Sequence, residues 1–242
     1  MTAKLSIIIP CYRDEEALTE LLPTLKQLSA SCELLDGTEI IVVDGASSRD
    51  CKSIVEAAGG IYLSEDANRG KQILSGVKVA SGNIFWFLHA DVTLDTSSVD
   101  EISKKYADGV RAGYFKFAFS GPKTSIKRFL AYWVNLRSRI GGIAYGDQGL
   151  FIDAETYFKA GGHAPLPLFE EARLMRRLKR GGLLVPLALE IYVNSRRWER
   201  DGFIKRTLSN RIFALLYALG FSAERISGWY RTSSTSQNSD LH

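Results

Sequence analysis

Carboxylate groups follow several short apolar runs in the first hundred residues, at the points where strands of a sheet would end. Four such groups occur, at residues 10–16, 44–48, 65–71 and 89–91. Ligands of open α/β sheets bind at the carboxyl ends of the strands. We therefore expect these four groups to meet at one edge of a sheet and to form a binding site there.

Several of these side chains suit a phosphate-bearing ligand and a divalent cation. Asp91 ends a strongly apolar run, where a carboxylate can hold Mg²⁺ or Mn²⁺, since these hard ions prefer oxygen ligands. Arg69 and Lys71 precede or open a helix, where their charge and free backbone N–H groups suit phosphate. Solvated surface charge is the alternative for both residues.

The elements that must position these residues alternate between strand and helix. Apolar runs and helical spacings predict the order β-α-β-α-β-α-β, which is typical of a parallel sheet covered by helices. Ser47 or Ser48 is predicted to cap the second helix. The predicted strands are 5–9, 39–43, 61–63 and 84–88, and the predicted helices are 15–28, 48–58 and 71–80.

The second half of the chain is less regular. Alternating aromatic residues predict a strand over 112–119, and a helix is predicted over 125–139 with Phe129, Tyr132 and Trp133 on one face. A polar turn at 146–149 precedes a short apolar run, and a basic helix is predicted over 169–180. Residues 183–193 are predicted to be one strand or a strand pair, followed by two helices over 203–230 that break near Gly220. The polar residues 232–242 are predicted to be a flexible tail.

Composition and charge exclude several classes of protein. The chain has 242 residues, 45% of them apolar and 24% charged, which is typical of a globular protein. Three cysteines without a CxxC pair favour a reducing, cytoplasmic setting, and three histidines nearly exclude a multi-histidine metal site. No signal peptide is predicted, and no apolar stretch reaches the length of a membrane span.

Charge is distributed unequally along the chain. Residues 1–120 carry 12 basic and 17 acidic side chains, whereas residues 121–242 carry 19 basic and 10 acidic ones. Such a division suggests that the second half meets phosphate, nucleic acid or a membrane surface.

Six segments resemble, in the right order, the motifs of glycosyltransferase family 2, and together they span residues 5 to about 200. The resemblance is to a small bacterial subgroup that has Phe-Leu-His-Ala-Asp where other members have Asp-x-Asp. The six segments are Ser6-Ile-Ile-Ile-Pro10-Cys-Tyr12-Arg-Asp14-Glu15-Glu16, Ile40-Ile-Val-Val-Asp44-Gly45-Ala-Ser47-Ser48-Arg-Asp50, Asn68-Arg69-Gly70-Lys71-Gln72, Phe87-Leu88-His89-Ala90-Asp91, Phe169-Glu170-Glu171 and Asn194-Ser-Arg-Arg197-Trp198.

The resemblance implies a GT-A fold, an α/β fold with a Rossmann-like nucleotide-binding mixed sheet flanked by helices and with C-terminal helices. We expect a single domain over 1–231, with a nucleotide-binding half at 1–120 and an acceptor half with the C-terminal helices at 121–231. The implied activity is the inverting transfer of a sugar from a nucleotide-sugar to an acceptor hydroxyl, assisted by Mg²⁺ or Mn²⁺. We expect the donor to be a UDP-sugar.

The resemblance also assigns donor and metal residues. Asp91 is expected to bind the metal, and His89 replaces the usual first aspartate. An imidazole suits Mn²⁺ better than Mg²⁺, so His89 either ligates the metal, contacts the phosphate or ribose, or is a structural donor. Asp44 either accepts a hydrogen bond from the base or caps a helix. The residues expected at the donor are Pro10, Tyr12, Glu15, Asp44, Arg69, Gly70, Lys71, His89, Ala90 and Asp91.

Glu171 is expected to be the general base, with Glu170 as the other candidate. Inverting transfer needs a carboxylate that takes the proton of the attacking hydroxyl. A helix that begins at these glutamates would favour the ionised form. Neighbours on a helix point about 100° apart, so only one of the two should face the cleft. A plain pair of carboxylates at a helix N-terminus is the alternative.

The resemblance places an acceptor or sugar pocket in the second half of the chain. Asp147 and Gln148 lie in a glycine-bounded turn that either lines this pocket or simply closes a hairpin. Arg197 suits bidentate contacts with phosphate, and Trp198 can stack on a sugar. The alternative is a solvated basic turn with Trp198 in the core.

Two alternative functions remain for a chain with these motifs. A sugar-phosphate nucleotidyltransferase needs a glycine-rich basic loop after the first strand, whereas residues 11–16 contain no glycine and three carboxylates. A catalytically weak nucleotide-sugar-binding protein is the other alternative. We expect a small-molecule or lipid-linked acceptor and no nucleic acid. The C-terminal helices cover the sheet, contact the inner face of a membrane or form a homodimer.

Overall fold

The computed structural model describes residues 3–32, 35–140 and 146–235, and within them eight strands form one mixed sheet in the order β3-β2-β1-β4-β7-β6-β8-β5. The strands are β1 (Ala3–Cys11), β2 (Leu35–Asp44), β3 (Ile61–Ser64), β4 (Ile84–Phe87), β5 (Val92–Leu94), β6 (Ala112–Phe119), β7 (Phe151–Asp153) and β8 (Leu184–Val193). The helices of these ranges are α1 (Glu15–Ala30), α2 (Arg49–Ala57), α3 (Arg69–Val79), α4 (Ser98–Ala107), α5 (Ser125–Ile140), α6 (Ala154–Lys159), α7 (Ala172–Arg180), α8 (Arg196–Asp201), α9 (Phe203–Ala218) and α10 (Ala223–Thr235).

The first four strands along the chain are parallel to one another, as predicted. β1 lies between β2 and β4 and is parallel to both, and β3 is parallel to β2. Cys11, the last residue of β1, is in register with Asp44, the last residue of β2. The polar groups after these strands therefore begin at the same edge of the sheet. β7 is antiparallel to β4 and β6, which makes the whole sheet mixed.

Both faces of the sheet are covered, which explains the continuous apolar runs. On one face, Ile7 and Ile9 of β1 pack in a core that includes Leu18, Leu22 and Leu25 of α1. On the other face, Ile8 packs with residues of α3 and α7. Adjacent residues of a strand point to opposite faces, so a strand between two helical layers needs apolar residues at every position.

Four elements were not predicted, namely β5, α4, α6 and α8, and β2 begins at Leu35, four residues before the predicted strand. β5, α6 and α8 have only three to six residues, which give too few repeats for a periodicity to be detected. α4 has ten residues and was missed although it is longer than α2. Residues 184–193 form the single strand β8, and α9 and α10 are separated around Gly220 as predicted.

Two helices of the second half expose apolar side chains. The predicted aromatic face of α5 forms, but Phe129, Tyr132 and Trp133 lie exposed, while Leu130 and neighbouring residues pack on the core. α9 exposes several aliphatic residues as well. No helix in the described ranges has both the length and the apolar character that crossing a bilayer requires.

Candidate active site

The ends of β1 and β2 are held together by the buried side chain of Gln72 in α3. Its amide nitrogen donates hydrogen bonds to the carbonyl oxygens of Cys11, at 2.7 Å, and Val43, at 2.8 Å. The N–H of Gly45 also donates to the carbonyl oxygen of Cys11, at 2.9 Å. The loops that carry the predicted donor residues therefore leave a rigid sheet edge.

Asp44 is fully buried and shapes the loop after β2. Its two oxygens accept the N–H groups of Ala46 at 2.8 Å and Ser48 at 2.7 Å, and one also accepts the hydroxyl of Tyr62 at 3.3 Å. Burial and the nearby Asp44 raise the pKa of Tyr62 to about 12. The hydroxyl of Ser48 accepts the N–H of Cys51, so Ser48 caps α2, one of the two residues predicted to do so. This geometry favours a structural role for Asp44, and its contact with a base stays a prediction.

Cys11, Asp44 and Cys51 form a buried cluster under the same loop. Their ligand atoms lie within 4.8 Å of one another, the spacing of a metal site. A hydrogen bond with Cys51, together with burial, raises the pKa of the Cys11 thiol. A protonated thiol is a poor metal ligand, and Asp44 already accepts backbone hydrogen bonds. All three residues are buried in the core, and Asp91 does not belong to this cluster.

The N-terminus of α3 does not offer the free N–H groups that we expected there. The N–H of Gly70 donates to the carbonyl oxygen of Leu166 at 2.9 Å, and that of Lys71 donates to the side chain of the cap residue Asn68 at 3.1 Å. A Cβ atom on Gly70 would lie 2.1 Å from the carbonyl oxygen of Ala164. Gly70 therefore lets the loop at 164–166 close over the helix end, and an anion cannot use these two N–H groups.

Two further predicted donor residues lie on the surface. The ammonium of Lys71 is 2.7 Å from the carboxylate of Asp66. Tyr12 is 48% exposed, and the Arg13 guanidinium lies 5.3 Å from its ring centroid. An exposed ring next to the strand edge remains compatible with the predicted packing on a base.

Arg69 connects the two groups of residues that the sequence analysis singled out. Its Nε is 2.8 Å from Oε1 of Glu170, and its terminal nitrogen contacts Nε2 of His89. A guanidinium only donates hydrogen bonds, so Nε2 of His89 accepts and Nδ1 carries the proton of the neutral ring. Nδ1 lies 4.0 Å from Oδ1 of Asp91. Glu170, Arg69 and His89 are therefore in direct contact, and Asp91 lies beside His89 without a hydrogen bond at this distance.

The glutamate pair lies in a turn and not in the helix that we predicted. α7 begins at Ala172, so Glu170 and Glu171 precede it, and Phe169 before them adopts a positive φ of 61°. Glu170 is 2% exposed and Glu171 is 5% exposed. Both border the same cavity, which corrects the expectation that only one would face the cleft.

The expected ionisation of Glu171 is also corrected. Burial and the adjacent Glu170 carboxylate raise the pKa of Glu171 well above its usual value, and Arg69 opposes this shift. Within the described residues, Oε2 of Glu171 has no hydrogen-bond partner. A buried carboxyl group without a partner is costly to ionise. The Glu171 carboxyl group therefore keeps its proton to a higher pH than an ordinary glutamate.

A cavity of about 210 Å³ separates Asp91 from the glutamate pair. Its walls come from the end of β4, the turn before α7, the end of β8 and the helices α8 and α9. Carboxyl groups, two arginines and aromatic rings face the same space, which suits a ligand with both hydroxyl or phosphate groups and an apolar surface. The lining residues include Arg69, His89, Asp91, Asp147, Phe169, Glu170, Glu171, Trp198, Arg206, Asn210 and Phe213.

Asp147 and Gln148 have different surroundings although they are neighbours in a short 3₁₀ turn. Asp147 borders the cavity, burial raises its pKa, and its Oδ1 has no hydrogen-bond partner among the described residues. Gln148 is fully buried and bonds the hydroxyl of Ser138 at 2.7 Å and the carbonyl oxygen of Phe115 at 3.2 Å. The geometry therefore supports an acceptor contact for Asp147 and assigns Gln148 to the core instead.

Trp198 lies in α8, where it both packs on the core and faces a cavity in which a sugar could stack on it. Its ring packs on Phe119 with centroids 5.2 Å apart, and it also borders the cavity. The side chain of Arg197 lies outside the described part of the structure. The guanidinium of Arg206, which was not predicted, borders the cavity, pairs with Asp201 at 2.7 Å and lies 5.8 Å from the Trp198 ring centroid.

Two other cavities adjoin the first. A cleft of about 440 Å³ between α1 and β5 is lined by Ala90 and Asp91 together with Asn194 and Arg196. A space of about 20 Å³, room for one water molecule, lies between Pro10, Arg69 and the glutamate pair. None of these three cavities is lined by Tyr12, Glu15, Asp44, Gly70 or Lys71.

His163 borders the smallest cavity, and sequence reasoning missed it. The backbone N–H of His163 donates to the hydroxyl of Tyr157 at 3.1 Å, and Nδ1 of its ring lies 3.2 Å from the same hydroxyl. Burial and the nearby Arg69 lower the pKa of His163 to about 3, so the ring is neutral. A lone histidine between a glycine pair and a proline gives no pattern that distinguishes it from a loop residue. Arg206 and Asn210 lie one helical turn apart, but residues 205–211 are polar except for Leu208, so spacing alone did not distinguish these two.

The chain belongs to glycosyl transferase family 2. The model of that family matches residues 6–158, which include the strand-end groups and Asp147. The Phe-Leu-His-Ala-Asp subgroup remains a prediction. The glutamate pair and α8 to α10 lie beyond the matched segment.

Curated relatives share part of the chain. The undecaprenyl-phosphate 4-deoxy-4-formamido-L-arabinose transferase of Sodalis glossinidius (strain morsitans) is 32% identical over 98 residues, which are 37% of this chain and 29% of that protein. The transferase of the same description from Proteus mirabilis (strain HI4320) is 33% identical over 100 residues. The matched part spans less than a third of the length of these relatives.

Solved structures confirm the predicted fold class. Glucosyl-3-phosphoglycerate synthase from Mycobacterium tuberculosis, in complex with Mn²⁺, uridine-diphosphate and phosphoglyceric acid, superposes with a TM-score of 0.61 at 17% identity, over 90% of this chain and 79% of that one. Mannosyl-3-phosphoglycerate synthase from Rubrobacter xylanophilus gives a TM-score of 0.60 at 16% identity, over 89% and 72%. The chain therefore has the GT-A fold.

Proposed function

We propose that this protein is an inverting glycosyltransferase that moves a sugar from a nucleotide-sugar donor to an acceptor hydroxyl with the help of a divalent metal. The proposed donor is a UDP-sugar. The observation that supports this most is the shared cavity, in which the carboxylate of Asp91 and the buried pair Glu170 and Glu171 face one space and are joined through Arg69 and His89. An in-line displacement needs a donor anchor and a base that face the same bound substrates, and a shared cavity provides such a space.

Glu171 is the proposed base. Its raised pKa makes it a stronger proton acceptor than an ordinary glutamate once it is ionised. Oε2 has no hydrogen-bond partner among the described residues and so is available to an acceptor hydroxyl. Glu170 is held by Arg69 at 2.8 Å, which makes it the poorer candidate.

Asp91 is the proposed metal ligand. A divalent ion, when bound, would neutralise the charge that develops on the diphosphate leaving group. Mg²⁺ and Mn²⁺ keep several waters, so one carboxylate can suffice. The Nδ1 atom of the neutral His89 ring lies 4.0 Å from Oδ1 of Asp91. Because Nε2 of His89 accepts a hydrogen bond from Arg69, we propose that His89 orients Asp91 and that its direct ligation is secondary.

The acceptor is proposed to enter beside Asp147 and Trp198. A buried carboxyl oxygen without a partner and an indole ring suit a polar group attached to a less polar body. The relatives named above act, by description, on undecaprenyl phosphate. A lipid-linked acceptor is therefore proposed ahead of a small soluble one, with the protein at the cytoplasmic face of a membrane.

The test is nucleotide release from a panel of nucleotide-sugars with and without Mn²⁺. We expect release from at least one donor, and we expect Glu171→Gln to keep donor binding but lose turnover. Glu20→Gln, an exposed glutamate of α1, is the matched control and should be unaffected. Failure to bind or cleave any donor would contradict the proposal, and binding without turnover would make the chain a nucleotide-sugar-binding protein.

A further inference from the structure

α9 has two opposite faces of unusual character. The inner face carries Arg206, Asn210 and Phe213, which border the cavity of the candidate site. Tyr217 belongs to the same face and stacks on Phe169, with ring centroids 4.6 Å apart. The helix is therefore fixed in place by polar and aromatic residues, so the aliphatic residues that usually anchor a surface helix are free to point elsewhere.

Five large aliphatic side chains form the outer face of α9 and its C-terminal cap. They are between 47% and 75% exposed. At about 100° per residue they fall within an arc of about 80°, centred opposite the inner face. We call this the outer stripe, and it consists of Ile204, Leu208, Ile212, Leu215 and Leu219. A soluble helix normally places such a stripe toward the core, so this one is arranged for a partner outside the domain.

The charges around the outer stripe indicate the kind of partner. Lys205 and Arg211 are exposed and flank the stripe on its two sides in the helical projection. No aspartate or glutamate occurs between residues 202 and 223. An apolar stripe bordered only by cations is the pattern of a helix that lies in the interface of an anionic bilayer.

α5 repeats the pattern. Its exposed apolar residues are Ile126, Phe129, Tyr132, Trp133 and Ile140. No acidic residue occurs between 121 and 146, whereas Arg128, Arg137 and Arg139 lie on this helix. Tryptophan and tyrosine are enriched at the level of lipid headgroups, where an amphipathic ring is well accommodated.

α5 and α9 are attached to the same short helix, α8. The buried ammonium of Lys127 in α5 contacts the hydroxyl of Ser195 and the carboxylate of Glu199, both at 2.9 Å. Phe119 packs on Trp198 of α8 and on Phe203 of α9, with centroid distances of 5.2 Å and 5.8 Å. The short helix α8 therefore links the two apolar helices.

We propose that the outer stripe of α9 and the exposed apolar residues of α5 dock the protein onto an anionic phospholipid surface. The aliphatic and aromatic side chains would enter the boundary between headgroups and acyl chains, and the flanking Lys and Arg side chains would extend to the phosphates. A second copy of the chain fits less well, because two such helices would face each other with cations and no carboxylates of their own. The docking does not depend on the proposed sugar transfer.

The test is cosedimentation of the full chain with vesicles of phosphatidylcholine alone and of phosphatidylcholine mixed equally with phosphatidylglycerol. The wild type should bind the anionic vesicles and bind the neutral ones weakly, and salt should reduce the binding. The double variant Leu208→Glu/Leu215→Glu should lower the vesicle partition coefficient by roughly tenfold or more, since two apolar contacts are replaced by charges that the lipid repels.

Leu183→Glu is the matched control, because Leu183 is also an exposed leucine but lies in the turn between α7 and β8. It should bind like the wild type. If the glutamate variant does not fold by circular dichroism, Leu208→Ser/Leu215→Ser takes its place with a smaller expected loss. The proposal is overturned if the wild type binds neither kind of vesicle, or if Leu183→Glu lowers vesicle binding as much as the outer-stripe variant does. It is also overturned if sedimentation velocity shows a dimer that the outer-stripe variant abolishes.

Discussion

Replacing Glu171 by glutamine should stabilise the folded protein near pH 8 and leave its stability near pH 4 almost unchanged. The carboxyl group is 5% exposed, and burial and Glu170 raise its pKa well above the usual 4.5. Between the unfolded and the folded pKa, the folded state binds more protons than the unfolded state, so stability falls as the pH rises through this window. Glutamine has almost the same shape and no proton to lose.

The size of the effect follows from linkage. At a pH above both pKa values, the ionisation of Glu171 destabilises the folded state by about 1.4 kcal/mol for each unit by which folding raises its pKa. We therefore expect Glu171→Gln to raise the free energy of unfolding near pH 8 by at least about 1 kcal/mol. Below pH 4.5, where the group is protonated in both states, the gain vanishes.

The assay is urea unfolding at several pH values between about 4 and 8, with the midpoint and slope fitted together. Glu20→Gln on the exposed face of α1 is the control and should show no such pH dependence. A gain that is the same at every pH would mean that the glutamine simply packs better. A loss near pH 8 would refute the reasoning, because it would show that the ionised carboxylate is stabilised by Arg69.

Three further predictions follow from the site. Gly70→Ala should destabilise the fold by about 2 kcal/mol or more in urea unfolding, because the new Cβ would lie 2.1 Å from the carbonyl oxygen of Ala164. Gly228→Ala is the control and should be neutral or stabilising, because its new Cβ would have no heavy atom within 4 Å. Asp44→Asn should cost about 1–3 kcal/mol in the same assay, because its amide would oppose one of the two N–H groups that the carboxylate accepts. Asp91→Asn should weaken Mn²⁺-dependent UDP binding by about tenfold or more in calorimetry while leaving the melting temperature nearly unchanged, and equal binding would remove Asp91 from the metal site.

The parallel half of the sheet could be predicted because its sequence pattern has a simple cause. Strands β1, β2 and β4 lie between two helical layers, so apolar residues run without interruption and end where the polar loops begin. β5 could not be predicted in the same way. Its three residues pair with β8, whose partner positions lie far along the chain, and local composition says nothing about such a pairing.

The candidate site shows the same division between local and distant causes. Asp91 and Glu171 could be proposed from local motifs, but the protonation of Glu171 could not. It depends on the turn that Phe169 begins, on burial around the cavity, and on Arg69, which lies in another motif. The availability of the α3 N-terminus was predicted incorrectly in part for the same reason, because the N–H of Gly70 is occupied by Leu166 of a distant loop, while that of Lys71 is occupied by the nearby Asn68.

The unsatisfied groups of the protein also point to this cavity. In the described part of the chain, the buried carboxylate oxygens without a hydrogen-bond partner are one each from Asp147, Glu170 and Glu171, and all three residues border the cavity beside Asp91. Only Glu170 has a close ion pair, with Arg69. Buried carboxyl groups destabilise a fold unless something compensates them, and local rules of this kind are broken mainly where a ligand binds. Because Oε1 of Glu170 lies 2.8 Å from Nε of Arg69, the oxygens left for a ligand are those of Asp147 and Glu171. In the proposed reaction a hydroxyl-bearing acceptor would donate to these two oxygens, and a metal-bound diphosphate would lie against Asp91.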